Sequence, residues 1–508
     1  MTDSGSRFKY LVASDFLEEL TGKIALVKSD FNVPFLENGS IADTFRIDQP
    51  SPFLRKLIDA NVDIILASHL GRPEGYDPSL TLDVIVNPLS KAIGRDIEII
   101  RYDDNNNCYD KKQLNRKYIQ NLFKNKKVPL LDNLRFHPSE SKNDGCLAKS
   151  LKNIIDVSIQ NSFGTAHRME DTSNYIHELV PGLAGDLFVT EVNEHLKIKE
   201  PISPYAVIVG GDKPEDSFNL MRDVIRADKT THWSNLSRPY LNTKMKDKLV
   251  DHLLVGGHLL PAVIYAQLNM LKDTELDGLD GEVRRNLRGL KGEEFLKGYS
   301  YNEEEIRLAK GLIRLYNQYQ FKSNDPLTYK DPKDEKVKGR RLIIPIDYTI
   351  LRKGKLNESV KLHDLHYGDE IVSYGKETDQ LYRSAIQKAK TIVWNGPMGS
   401  NEEKFPERTR SIIDHIHNNE HAVKEVGGGS TNWAINTYER ELRKIQGEDF
   451  NLDVGFRSTG GGATLLETIR DSYITRSLMM KFTELLNVGY GPKYEYLRKA
   501  AFQKYISG

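Results

Sequence analysis

The chain has 508 residues, and its 72 lysines and arginines are balanced by 72 aspartates and glutamates. That length exceeds one ordinary compact core, so two domains are expected, and the zero net charge argues against a bulk nucleic-acid or acidic-membrane binder. A hydrophobic fraction of 39% and a charged fraction of 28% suit a soluble globular protein, and two cysteines are too few for a disulfide framework, which points to a reducing compartment.

The opening MTDSGSRFKYLVASDFLEEL has no apolar run after a basic start, and no later segment is long and apolar enough for a membrane span. The expectation is a cytoplasmic protein. Apolar runs then recur with helical stretches between them: 24-IALVKSDF-31, 62-VDIILASHL-70, 127-KVPLLDNL-134 and 155-IDVSIQ-160 in the first half. The second half continues with 205-YAVIVGG-211, 252-HLLVGG-257, 341-RLIIPIDYTI-350, 391-TIVWNG-396 and 421-HAVKEVGGG-429. Continuous apolar strands of this kind belong to parallel sheets covered on both faces. Several end in Gly, Asn, Asp or His, where ligands bind in open α/β sheets.

A joint falls in the middle. Residues 188-FVTEVNEHLKIKEP-201 read as a helix stopped by Pro201 and Pro204. Polar stretches at 225–249, at 272–294 and at 322–340 read as exposed loops or insertions. In the tail, 479-MMKFTELLNV-488 has the spacing of an amphipathic helix, to dock on the protein's own body or, as the alternative, on a partner.

Two sets of residues can carry chemistry. In the first half, Arg46, Arg72, Arg135 and Arg168 follow the apolar strands, in company with Asp30, Asn32, His69 and His167. Parallel strands can bring such loops to one cleft, and the planar donor fork of arginine suits phosphate and carboxylate. In the second half come the glycine loops 210-GGDKPEDS-217, 256-GGHL-259, 395-NGPMGSNE-402, 427-GGGST-431 and 458-STGGGA-463. Their successive N–H groups can face an anion. None is a Lys-containing Walker loop, and none is a well-placed G-x-G-x-x-G. Together they favour a nucleotide site.

The segments 29-SDFNVP-34, 68-SHLGRP-73, 131-LDNLRFH-137, 163-FGTAHR-168, 394-WNGPMG-399 and 458-STGGGA-463, in this order, resemble phosphoglycerate kinase. The resemblance runs from about residue 20 to 190 and, with insertions, from 200 to 468. It implies an α/β fold: two doubly wound parallel-sheet domains joined by a hinge helix, with the C-terminal segment returning to the N-terminal domain. On this chain it implies an acceptor domain at 1–187, a joint at 188–204, a nucleotide domain at 205–467 with insertions near 225–249 and 272–340, and an extension at 468–508. The implied reaction is reversible phosphoryl transfer between 1,3-bisphosphoglycerate with ADP and 3-phosphoglycerate with ATP, in a monomer that binds neither nucleic acid nor membrane.

By the same resemblance Asp30, Asn32, Arg46, His69, Arg72, Arg135 and Arg168 match substrate contacts. Arg46 also meets the moving phosphoryl group, with Lys213 as its catalytic counterpart. Gly210, Gly211, Lys213, Ser217, Asn395, Glu402, Gly427, Gly428, Gly429, Ser430 and Thr431 fall on the nucleotide side, Glu402 facing the ribose and Thr431 capping the glycine loop. Magnesium is expected with the nucleotide. Yet Ser217 replaces a lysine, Ser430 replaces the metal-holding aspartate, Asp212 stands where a small residue is usual, and Glu170 replaces a histidine. The protein ligand of the metal is therefore unassigned, with Asp212, Asp216 and Ser430 as nearby oxygens. The same departures allow a second reading, a catalytically weak or inactive relative serving as a ligand-binding scaffold or assembly subunit.

Overall fold

The computed structural model describes residues 11–166, 168–198, 201–211, 250–270, 281–291, 341–461 and 492–505, with single positions between 295 and 310. The chain divides into two compact units, Met1–Glu194 with Ser472–Gly508, and His195–Asp471.

In the first unit the strands are β1 (Ile24–Lys28), β2 (Asp63–Ala67), β3 (Asp96–Ile100), a small antiparallel pair β4 (Tyr102–Asp103) and β5 (Cys108–Tyr109), then β6 (Lys127–Leu131), β7 (Val157–Gln160) and β8 (Gly182–Ala184). Six of them form one sheet in the order β3-β6-β2-β1-β7-β8, and every pairing in it is parallel. Alternation along each strand divides its side chains between two cores, because successive residues point to opposite faces. Ala25 and Val27 join Ile64, Leu66 and Leu130 on one face. Ile24 and Leu26 join Ile65, Ala67 and Leu131 on the other. Both faces are apolar over the central strands, so β1, β2, β6 and β7 read as largely unbroken runs, while β3 starts with the exposed Asp96. The helix Glu495–Tyr505 completes the first of these cores with Leu497 and Ala501, four residues apart on one helix face.

The helix Asp186–Ile198 occupies the stretch expected to be the joint. The second unit then builds β9 (Tyr205–Val209), β10 (His252–Val255), β11 (Arg341–Ile343), β12 (Asp347–Arg352), β13 (Lys355–Lys361), β14 (Glu370–Tyr374), β15 (Thr391–Asn395), β16 (Val423–Gly427) and β17 (Phe456–Ser458). Its main sheet runs β11-β10-β9-β15-β16-β17, again parallel throughout. An antiparallel sheet in the order β13-β12-β14 stands beside it.

Two expectations need correction. The run 341–350 is not one strand. Pro345 interrupts it, lacking the N–H that a ladder needs, so β11 stays in the parallel sheet while β12 joins the antiparallel one. Part of the stretch 272–294 is not an exposed loop either. Gly281–Leu290 is a helix whose Leu287 and Leu290 are fully buried. The sparse apolar residues of this polar segment fall three apart, on one helix face, where composition alone does not find them. The insertion 225–249 and the tail helix expected at 479–488 lie outside the described residues.

Candidate active site

In the first unit the loops that leave β6, β2, β1 and β7, four adjacent strands, emerge together at the carboxyl edge of the sheet. Hydrogen bonds lace them to one another. The Phe31 N–H donates to the Ser68 hydroxyl at 2.9 Å, and the Gly71 N–H donates to Asn32 Oδ1 at 2.9 Å. Asn133 donates to the Leu70 carbonyl at 2.7 Å, and Arg135 donates to the Gly71 carbonyl at 2.6 Å. Arg46, on the short helix Phe45–Asp48, donates to the Asn32 carbonyl at 2.8 Å and lies 3.5 Å from Asp30 Oδ1. It is 9% exposed, so it is held rather than waving in solvent.

The electrostatics shows that these groups share one neighbourhood. Burial, and then Arg135, Arg168, Lys28 and Arg46, hold the His69 imidazole well below its ordinary pKa, so it is neutral at pH 7. Burial and then Arg168 bring the Arg135 guanidinium down to about 10, with Arg72 acting in the same sense and Glu170 and Asp30 opposing them. Asp30, Asn32, Arg46, His69, Arg72, Arg135 and Arg168 are thereby gathered in one anion-seeking cluster. His167 lies outside the described residues.

Sequence reasoning passed over Lys28 and Glu140. The ammonium of Lys28 lies 2.8 Å from Glu140 and 2.6 Å from Glu170, and all three are buried. Burial alone would lower the pKa of Lys28, but the two carboxylates outweigh it and raise it. The readable signal was a single charge at the end of an apolar strand, which demands a buried partner.

In the second unit the glycine loops leave β10, β9, β15, β16 and β17, again neighbours in the sheet. Backbone packs directly on backbone. The Gly210 N–H donates to the Asn395 carbonyl at 2.9 Å, and Gly211 N–H to the Pro397 carbonyl at 2.6 Å. A Cβ on Gly210 would collide with that same Pro397 oxygen. Gly428, at φ +99°, turns the chain from β16 (ending at Gly427) into the helix Gly429–Gln446 and approaches the Asn395 side chain. The Gly396 N–H donates to the Thr431 hydroxyl at 2.8 Å, tying the β15 loop to this helix start. Asn432 donates to the carbonyls of Gly428 and Ser458 at 3.0 and 2.9 Å, which brings in the β17 loop.

Glu402 receives the Gly399 N–H at 3.0 Å and the Thr409 hydroxyl at 2.6 Å, both on Oε1, while its buried Oε2 makes no hydrogen bond. Burial pushes its pKa up to about 7. Ser430 is the second residue of the helix, whose first turn carries no acidic side chain. Magnesium asks for oxygen ligands, commonly a carboxylate. Among the described residues no cluster of three His, Cys, Asp or Glu could hold a metal. Asp212, Lys213, Asp216 and Ser217, which include the nearby carboxylates, lie outside the described residues.

Comparison with known proteins agrees with this geometry. The phosphoglycerate kinase family profile matches residues 14–231 and 326–470. A curated phosphoglycerate kinase of Dictyoglomus turgidum is 30% identical over 453 residues, covering 88% of this chain and 93% of that one. One from Moorella thermoacetica is 29% identical over 454 residues, with the same coverage. The crystal structure of the Pyrococcus horikoshii phosphoglycerate kinase superposes with a TM-score of 0.65 at 22% identity, over 93% of this chain and 99% of that chain, which speaks to the fold. With arginines gathered at one sheet edge, glycine loops at the other and a profile match across most of its length, the chain belongs to the phosphoglycerate kinase family.

Proposed function

We propose that the protein catalyses reversible phosphoryl transfer between 1,3-bisphosphoglycerate with ADP and 3-phosphoglycerate with ATP. The observation that carries this reading is the gathering of Arg46, Arg135 and Arg168 around a neutral His69, with Arg72 near Arg135, in the loops that leave four adjacent strands. A small acid bearing both a carboxylate and a phosphate matches that set of donors. Asn32, His69, Arg72, Arg135 and Arg168 hold the acid, with Asp30 orienting Arg46. Arg46 stabilises the charge spread over the oxygens of the moving group, since phosphoryl transfer needs positioning and cations more than covalent help. Its prior attachment to the Asn32 carbonyl limits reorganisation during reaction.

On the donor side the N–H groups at the start of Gly429–Gln446 meet nucleotide phosphates. Gly210, Gly211, Asn395 and the run Gly427–Thr431 shape that shelf, and Glu402 stands toward the ribose. Lys213 is the proposed second catalytic cation. Transfer requires the two sites to meet, so hinge closure about residues 188–204 belongs to this proposal, as do the acceptor domain 1–187, the nucleotide domain 205–467 and the extension 468–508. The protein acts as a cytoplasmic monomer, using ATP or ADP as its magnesium complex. Among the described residues no helix is long and apolar enough to cross a membrane, and the balanced charge offers nucleic acid no general attraction.

Ser430 favours a second reading. A helix start with a hydroxyl in place of a carboxylate leaves the metal to the nucleotide and to water, which predicts slow turnover or a ligand-binding relative. A coupled assay for ATP formation from ADP and 1,3-bisphosphoglycerate decides between the two. A measurable parent rate, matched by the Ser217→Lys, Ser430→Asp double variant, supports the kinase. A dead parent revived by the double variant establishes the inactive relative.

A further inference from the structure

The acceptor cluster contains an anion in a place where an anion-binding site would ordinarily exclude one. Glu170 is 7% exposed, and its Oε2 lies 2.6 Å from Lys28 Nζ. Lys28 is fixed in turn by Glu140 at 2.8 Å and by the Ser173 hydroxyl at 2.6 Å. Glu140 receives the Thr172 N–H at 3.1 Å and the Thr172 hydroxyl at 2.6 Å. The network leaves Glu170 little freedom. Its other oxygen, Oε1, stands 3.7 Å from Arg168 Nη1.

That separation is an ion pair but is too long for a hydrogen bond, and Nη1 is buried and makes none. The carboxylate therefore attracts the guanidinium without occupying its donor. A fully hydrogen-bonded Arg–carboxylate fork would have to be broken before Arg168 could meet a substrate. Without any counter-charge, Arg168 and Arg135 would repel each other within the cluster; burial first, and then Arg168, lower the pKa of Arg135.

We propose that Glu170 is the positioning residue for Arg168: anchored by Lys28, its carboxylate holds the guanidinium in the acceptor cluster by charge, takes no hydrogen bond from Nη1, and leaves the exposed part of the Arg168 side chain for the acidic substrate. The proposal rests on the reading of Arg168 as an acceptor-side ligand given above, but its first test does not depend on that reading.

Glu170→Gln keeps the volume and an oxygen for Lys28 while removing the charge. Labelling with phenylglyoxal, read by peptide mass spectrometry, needs no substrate. Arg168 should be modified at least about threefold faster in the variant, because the guanidinium loses the carboxylate that holds it. Arg55, in the same unit, should keep its rate. Glu170→His, retaining the family residue, should behave like Gln. An unchanged Arg168 rate in a folded variant overturns the proposal. Calorimetric titration with 3-phosphoglycerate gives the second readout. Affinity should fall by about threefold to tenfold in Glu170→Gln, and the same substitution should have no further effect in an Arg168→Ala background. Equal losses in both backgrounds would show that Glu170 acts on the fold rather than through Arg168, which also overturns it. If the parent binds no 3-phosphoglycerate, the proposed function falls, and the labelling rates alone decide the role of Glu170.

Discussion

In the proposed reading the two units solve one problem, the binding of phosphate-bearing ligands at the carboxyl edge of a six-stranded parallel sheet, with different materials. The first unit uses charged side chains: Arg46, Arg135 and Arg168 with His69, buffered by Lys28, Glu140 and Glu170. The second uses backbone: glycines pressed on carbonyls, and a helix start with no acidic residue in its first turn. A site made of side chains fails one residue at a time, since each substitution removes one charge. A site made of backbone keeps its shape when a side chain such as Ser430 changes, because the N–H groups remain. Departures from the resembled pattern fall on both sides, Ser430 on the backbone-built one and Glu170 on the side-chain-built one.

The sharpest way to break that contrast is Arg46→Ala. Loss of one held cation from the path of the phosphoryl group should lower kcat by about 10²–10³-fold, with a smaller change in the KM for nucleotide. Initial-rate kinetics check this, and a loss confined to KM would place Arg46 outside the reacting centre. Next in size is Gly210→Ala on the backbone-built side. The added methyl group meets the Pro397 carbonyl, which cannot retreat without disturbing the β15 loop. Destabilisation of about 4 kcal/mol is expected, visible in denaturant melts, together with loss of ADP binding and retention of 3-phosphoglycerate binding. Loss of both ligands at once would show that the two sites do not fail independently.

A third prediction concerns how each unit is closed. The second is one continuous stretch, whereas the first is completed by the helix Glu495–Tyr505 from the far end of the chain. Leu497 is fully buried in the first unit's core, so Leu497→Ala should cost about 3 kcal/mol. The effect should appear in the unfolding of the first unit and leave nucleotide affinity within about twofold, since distant, independent sites seldom couple strongly.

The same contrast explains what could be read in advance. Most of the parallel strands were legible because covered faces make them apolar runs, whereas β3, with Asp96 and Glu98, and the three-residue β8 and β17 were not read; the glycine loops and arginines were legible because they sit where such runs stop. The helix Gly281–Leu290 was not, because its charged residues mask a narrow buried stripe of Leu287 and Leu290. The division of 341–350 at Pro345 depends on which sheet receives each half, a choice made by tertiary packing. Lys28 stood in plain view, but its partners Glu140 and Glu170 lie more than a hundred residues away. Spacing along a chain cannot reveal such a pairing, although the cost of a lone buried ammonium implies that one exists.

The smallest effect is also the most particular to the second unit, where the buried Glu402, among the described residues, is a proposed ligand whose charge is unsettled near pH 7. Its pKa, pushed up to about 7 by burial, exceeds the ordinary glutamate value. Between those two values the folded protein binds more protons than the unfolded chain, so stability falls as pH rises through that window and levels off above about pH 7. Glu402→Gln imitates the protonated acid and keeps an acceptor for the Gly399 N–H and the Thr409 hydroxyl. The variant should therefore melt close to the parent at about pH 5 and above it at about pH 8, by an amount equivalent to about 1–2 kcal/mol. The same substitution removes the anion proposed to face the ribose hydroxyls, so nucleotide affinity should drop as stability rises. A variant less stable than the parent at the higher pH would mean that the carboxylate is charged and satisfied in the folded state, and that the second unit also relies on a side-chain anion where backbone alone is inferred to shape the site.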